Sequence, residues 1–155
     1  MESRKHRQLK QIALRWVQNT GCIAFACEVS FGYIGVADVA GIKKNGDIYI
    51  VEAKISNADM KSDIKRRKFW KLGNVSVPID FVYYIVADGV DTSVLDTSIG
   101  ILDENGRKQR NARRRDRKRP ADLTKDFEKF ARTCSWRAYG RIINGQKEQL
   151  EFNID

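Results

Sequence analysis

Apolar positions along this chain follow two periods, and the switches between them outline the expected elements. Over residues 4–19, Leu9, Ile12, Ala13, Trp16 and Val17 recur at spacings of three and four with basic residues outside, which predicts an amphipathic helix. Gly21, after Asn19-Thr20, is its expected stop. Residues 22–31 and 34–42 predict two strands around Gly32 and Gly35, and residues 47–55 a third beyond the turn-like Lys43-Lys44-Asn45-Gly46-Asp47. Ser56, followed three residues later by Asp59, has the spacing of a capped helix start, and the helix is expected to reach about Trp70. After a loop from Gly73 to Pro78, Phe81-Val82-Tyr83-Tyr84-Ile85-Val86-Ala87 is a continuous apolar run that predicts a buried strand near the sheet centre. The third strand, the helix and this fourth strand make a βαβ unit, expected to cross over right-handedly. Ile99-Gly100-Ile101-Leu102 predicts a short fifth strand ending at Glu104-Asn105-Gly106. Farther on, Pro120 opens an expected helix striped by Leu123, Phe127, Phe130 and Ala131, and the tail from Trp136, with its Asn144-Gly145 turn, predicts a hairpin.

Three charged residues interrupt this apolar pattern. Along a strand, residues two apart share a face, so Glu52 and Lys54 project together while Val51, Ala53 and Ile55 face the other way. A carboxylate and an ammonium in so apolar a strand are costly if buried without partners. Asp38, in Val36-Ala37-Asp38-Val39 on the neighbouring strand, adds a second carboxylate. Two oxygen ligands with positions left over for water and phosphate suit a hard cation such as Mg²⁺. Taken without Asp38 and the flanking residues, Glu52 and Lys54 fit better an exposed strand face with an ordinary cross-strand ion pair.

The stretch Ala37-Asp38-Val39, then Gly46-Asp47-Ile48-Tyr49-Ile50-Val51-Glu52-Ala53-Lys54-Ile55-Ser56, Ala58-Asp59 and Asp63-Ile64-Lys65 resembles the MmcB-like DNA-repair branch of the PD-(D/E)XK nuclease superfamily. Glu28 matches a glutamate of that branch at the same spacing. The likeness covers residues 8 to 103 and continues loosely into the basic C-terminal part. Ala37 stands where the motif's proline would be, as in many members, and Gly35-Val36 replaces a basic pair that the branch carries before its aspartate. That second departure puts in doubt any DNA contact made there and leaves the metal site untouched.

The resemblance implies a restriction-endonuclease-like αβββαβ core, with a mixed central sheet flanked by helices, plus a C-terminal helix. It implies one nuclease-like domain over residues 1–155 with a basic arm at 104–119. The implied activity is that of a metal-dependent DNA endonuclease, or a nuclease-fold DNA-repair protein, hydrolysing phosphodiester bonds with Mg²⁺ or Mn²⁺. A bound divalent metal activates water and draws charge off the phosphate oxygens. Asp38, Glu52 and the Ala53 carbonyl would hold it, and Lys54 would orient the attacking water and stabilise the developing negative charge. Glu28 fits a further metal ligand or water-binding acid, or the acid that neutralises Lys54. Glu2 fits the helical acid of several superfamily members, or a disordered terminus. The alternative is a catalytically silent nuclease-fold module that only binds nucleic acid, and a homodimer cutting both strands is left open.

Composition sharpens this picture at one place. Of the net charge of +9, residues 107–119 contribute +8, leaving +1 for all the rest. Such a block favours phosphate backbones with little regard to sequence, which makes Arg113, Arg114, Arg115, Arg117, Lys118 and Arg119 the expected DNA contacts. A solvated loop kept soluble by its charge is the plainer possibility. Asp59 and Asp63 fit electrostatic partners of a helix N-terminus. Trp16, Trp70, Trp136, Tyr83 and Tyr84 have the chemistry to stack on bases, although such apolar surroundings favour a core role. Cys22, Cys27 and Cys134 cannot complete a disulfide framework, and with His6 the lone histidine a zinc site is disfavoured; buried free thiols are expected. No apolar run approaches a membrane span and no signal-type stretch follows Met1, so the expectation is a cytoplasmic protein.

Overall fold

The computed structural model describes residues 1–31, 35–66 and 79–115. Helix α1 (Arg4–Asn19) is capped by Ser3, whose hydroxyl accepts from the His6 N–H. It leads into β1 (Cys22–Ser30), β2 (Val36–Lys43) and β3 (Ile48–Lys54), then α2 (Asn57–Lys65), β4 (Phe81–Val86), β5 (Gly100–Leu102) and β6 (Lys108–Arg110). The six strands form one mixed sheet in chain order; β3–β4 and β4–β5 are parallel and the other pairs antiparallel. Each expected strand up to Leu102 is present within two residues of its expected ends. Helix α2 has its cap at Ser56 and ends at Lys65, with Arg66 as C-cap, short of the expected Trp70. Trp70, the helix expected from Pro120, the C-terminal hairpin, Trp136 and Cys134 lie outside the described residues.

Both faces of the sheet are covered, as a parallel centre requires. Leu9, Ala13 and Val17 of α1 pack on Val39, Val51, Ala53, Tyr83, Ile85 and Leu102. Gly41 permits this contact, because any Cβ there would collide with Val17. Trp16 packs against Tyr49 and Tyr83, and Tyr49 stacks on Phe81, so these rings serve the core beneath α1. The opposite face holds Ile42, Ile48, Ile50, Ile79, Val82 and Tyr84 against Met60 and Ile64 of α2. Among the described residues, no helix is long and apolar enough to cross a membrane.

The expected arm is part of this fold as far as residue 115. Lys108–Arg110 is an edge strand on β5, the Arg113 N–H donates to the Ser98 carbonyl, and the Arg115 N–H donates to the Asp80 carbonyl. Arg114 grips Asp47 through two parallel hydrogen bonds of 2.7 and 2.6 Å and lies over the Phe81 ring at 5.0 Å. A loosely attached, solvated loop therefore does not describe residues 107–115: their main chain has found hydrogen-bond partners, and one guanidinium has found a carboxylate. We expect Arg114→Gln to cost about 1–2 kcal/mol, the pair being partly exposed, and to lower the melting temperature by about 3–6 °C. Thermal unfolding beside Arg113→Gln, expected to be near neutral, checks this.

Candidate active site

The site forms where two strands separate. β2 and β3 are paired from Ile42–Ile48 to Val39–Val51. Beyond that point β2 continues against β1 as far as Val36, and β3 continues against β4 as far as Lys54. Asp38 and Glu52 are the next residues along the two strands, at the mouth of the fork. The Ala53 N–H, beyond the last β2–β3 pair, donates to Asp38 Oδ2 at 2.9 Å. Asp38 thus closes the ladder with its side chain, which fixes where its carboxylate stands.

Glu52 and Lys54 share the α2 face of β3, as the strand period requires. Their surroundings rule out the exposed ion pair: Glu52 is 0% exposed and Lys54 6%. Lys54 Nζ lies 3.4 Å from Asp63, 3.9 Å from Asp59 and 4.0 Å from Glu52. Burial works against its ammonium, but Asp63, then Glu52, Asp59 and Asp38, outweigh it and hold the pKa above the ordinary lysine value. Lys54 is therefore a fixed positive charge at neutral pH and is unsuited to take a proton from water. Asp63 is no mere companion of the helix dipole. It is buried on the inner face of α2, and its Oδ2 accepts a 2.7 Å hydrogen bond from the Tyr84 hydroxyl. Burial first, and Asp63 next, push the Tyr84 phenol far upward, so it stays a neutral donor. Asp59 accepts from the Ile55 N–H while its own N–H donates to Ser56, which suits its expected place at the helix start.

A second polar group enters from α1. His6 and Lys10, four residues apart, extend the apolar stripe of the helix towards its N-terminus on one face, and Glu2, just ahead of the Ser3 cap, reaches both of them. His6 Nδ1 is 2.6 Å from Glu2 Oε1, and its Nε2 is 3.2 Å from the Ala53 carbonyl oxygen and 3.5 Å from Asp38 Oδ2. Lys10 Nζ binds Glu2 at 2.9 Å and Glu28 at 3.0 Å. Burial opposes the Lys10 ammonium, yet the hydrogen bonds to Glu2 and Glu28 raise its pKa overall. The same bond from Lys10 holds the Glu2 carboxyl below its usual range. Glu2 is thus an ordered member of the site's rim.

Glu28 turns away from the role of neutralising Lys54. Its backbone is left-handed, with φ of +54°, a conformation costing about 1 kcal/mol or more in a non-glycine residue. This breaks the alternation of β1: Cys27 packs towards α1, Val29 lies in the core of the other face, and Glu28 between them meets Lys10. Cys22 and Cys27 are free thiols, Cys22 buried and with its pKa raised by that burial. Sequence reasoning misses His6 as a member of this site, although its place four residues from both Glu2 and Lys10 is the signal that could find it.

Arg113, Arg114 and Arg115 are not brought to this site. Arg114 and Arg115 attach beside Asp47 and Asp80, ahead of β3 and β4, and Arg113 attaches at Ser98, ahead of β5, whereas Lys54 closes β3 at its other end. Arg117, Lys118 and Arg119 lie outside the described residues.

The chain is an α/β protein built on a six-stranded mixed sheet flanked by helices. No family model matches it, and no curated protein matches it. Among solved structures it is similar to a protein of unknown function from Silicibacter pomeroyi, with 20% identity, a TM-score of 0.71, and coverage of 89% of this chain and 91% of that one. At that identity the likeness shows the fold alone.

Proposed function

We propose that this chain is a metal-dependent deoxyribonuclease, an endonuclease or DNA-repair protein of the PD-(D/E)XK type with MmcB-like features, hydrolysing phosphodiester bonds. One observation carries the proposal: Asp38 and Glu52 stand together where β2 and β3 part, with Lys54 beside them as a held cation. Asp38, Glu52, Asp59 and Asp63 all act on one ammonium, so negative charge is in excess around it. A donor set of this chemistry fits a divalent cation. Among the described residues, no three His, Cys, Asp or Glu side chains are gathered into a ready-made metal cluster. The proposed ion is Mg²⁺ or Mn²⁺; Mg²⁺ commonly takes only one or two carboxylates from a protein and fills the rest of its shell with water and phosphate. Asp38 through Oδ1, Glu52 and the Ala53 oxygen would hold the ion, with His6 at the latter's side.

When bound, the metal would supply an activated water and relief of charge on the phosphate. The chain's own residues supply the rest. Lys54 is held by acids rather than by solvent and offers its ammonium to the phosphate without giving up its proton. Asp38 is fixed by the Ala53 N–H, so the fork keeps its shape as substrate enters. His6 and Lys10 place positive or hydrogen-bonding groups on the opposite rim, with Glu28 engaged on Lys10 rather than on Lys54. A cleavage panel with Mg²⁺ or Mn²⁺ over linear, nicked, branched and single-stranded DNA tests the proposal. Metal binding without cleavage of any of these would favour the silent binding module instead.

For DNA contact the arm divides. Arg114 is committed to Asp47 and Arg115 is half-buried, whereas Arg113 is exposed. We expect neutral replacement of Arg113, Arg117, Lys118 and Arg119 to flatten the dependence of log affinity on log salt by about one unit of slope for each phosphate no longer neutralised. Adding replacements of Arg114 and Arg115 should lower stability more than it flattens the slope further. Titration of one duplex at several salt concentrations checks this; an unchanged slope would mean the arm does not touch the phosphates.

A further inference from the structure

Lys54 has several acids within reach, and Asp63 is the nearest of them, its Oδ1 at 3.4 Å, followed by Asp59 at 3.9 Å and Glu52 at 4.0 Å. Asp63 is also fixed from a second direction. The Tyr84 hydroxyl donates to its other oxygen, Oδ2, at 2.7 Å. Tyr84 is 0% exposed and stands opposite Glu52 in the β3–β4 register. Asp63 follows Met60 by one turn on the buried face of α2. One carboxylate therefore has one oxygen pinned by a rigid core hydroxyl and the other turned to the lysine.

We infer that Asp63, aimed by Tyr84, is a positioning residue that draws the Lys54 ammonium away from Glu52 and so keeps Glu52 available to a divalent cation. This rests on the proposed role of Asp38 and Glu52 as cation ligands. With Asp63 neutral, the ammonium loses its nearest anion and is left with Asp59 and Glu52 at almost equal distance. Of these, Glu52, fully buried and on the same strand face, is less screened by solvent and becomes the preferred partner. A charge-assisted contact between them would close to about 2.8 Å, placing the lysine where a metal must bind. The ammonium and the metal ion are then competitors for one carboxylate, and the Tyr84–Asp63 pair decides between them. A residue that only supported the fold would affect metal binding whether or not Lys54 carried a charge. A residue that restrains Lys54 matters only while that charge is present.

The test is a double-mutant cycle on the full chain, read as Mn²⁺ affinity by titration calorimetry without DNA. Asp63→Asn is expected to weaken Mn²⁺ binding about tenfold, the lower end for residues that support metal ligands. In a Lys54→Met background the same substitution should change affinity by less than about twofold, since differences that small are within the spread of independent sites. Tyr84→Phe removes a single hydroxyl and should act in the same direction by less, and it carries the test if Asp63→Asn fails to fold. Equal losses in both backgrounds, or none in either, overturn the inference while leaving the metal site standing. No Mn²⁺ binding by the unsubstituted chain overturns the metal site and this inference with it.

Discussion

Asp38→Asn and Glu52→Gln are each expected to lower Mg²⁺-dependent cleavage of plasmid DNA by about 1000-fold or more, equivalent to about 4 kcal/mol of barrier. Each change removes the negative charge of one proposed ligand and keeps the side chain's size. Asparagine is the better probe at position 38, because it retains an oxygen for the Ala53 N–H. Alanine there would leave that N–H without its acceptor, at a cost of about 1–3 kcal/mol, and would confuse a chemical loss with a structural one. Duplex affinity should hold or rise in both variants, because an anion facing the phosphate is removed. Cleavage at the wild-type rate by either variant would exclude the site.

Glu52→Gln should also make the metal-free protein more stable, by about 1–2 kcal/mol, with roughly 2–4 °C in melting temperature for each kcal/mol. Glu52 is a charge in a fully buried position, set among Asp38, Asp59 and Asp63 around a single ammonium. Replacing it relieves both desolvation and repulsion. Lys54 keeps Asp63 and Asp59, so the substitution does not strand a buried cation. Saturating Mg²⁺ should reverse the ranking: at a hundred times its dissociation constant, a ligand adds about 2.7 kcal/mol to the protein that binds it and nothing to one that does not. Thermal unfolding in chelator and in Mg²⁺ measures both halves. Lower stability of Glu52→Gln in chelator would identify Glu52 as a structural partner of Lys54, placed there for the fold.

The sheet could be traced from sequence because its strands announce themselves locally, through alternation in β3 and a continuous apolar run in β4. Asp38, Glu52 and Lys54 were legible for the same reason: two-residue periodicity fixes which side chains share a face. The partners of Lys54 were not. Asp63 reaches it from another element, and nothing in Asn57–Lys65 distinguishes an inward aspartate from a solvent-facing one until Met60 and Tyr84 set the helix rotation. Glu28 was named, but its partner Lys10 escaped, because a left-handed residue inside a strand swaps its face and a glutamate does not advertise that conformation in a sequence. Strand β6 escaped because Lys108-Gln109-Arg110 has an edge strand's charge without a strand's usual apolar residues.

The attachment of Arg114 to Asp47 fixes a length as well as an orientation. Asp47 precedes β3 and Lys54 ends it, so the two lie one strand apart, roughly 23 Å at the rise of an extended chain. Duplex DNA advances about 3.4 Å per base pair, so that interval corresponds to about seven base pairs. The sheet itself then acts as a ruler. Under the proposed nuclease function, a strand whose scissile phosphate rests against Lys54, and which runs along β3, meets the root of the basic segment about two-thirds of a helical turn away. Oligonucleotides ending short of that point would reach the acids and miss the arginines, so affinity should step up with substrate length while the position of the cut stays the same.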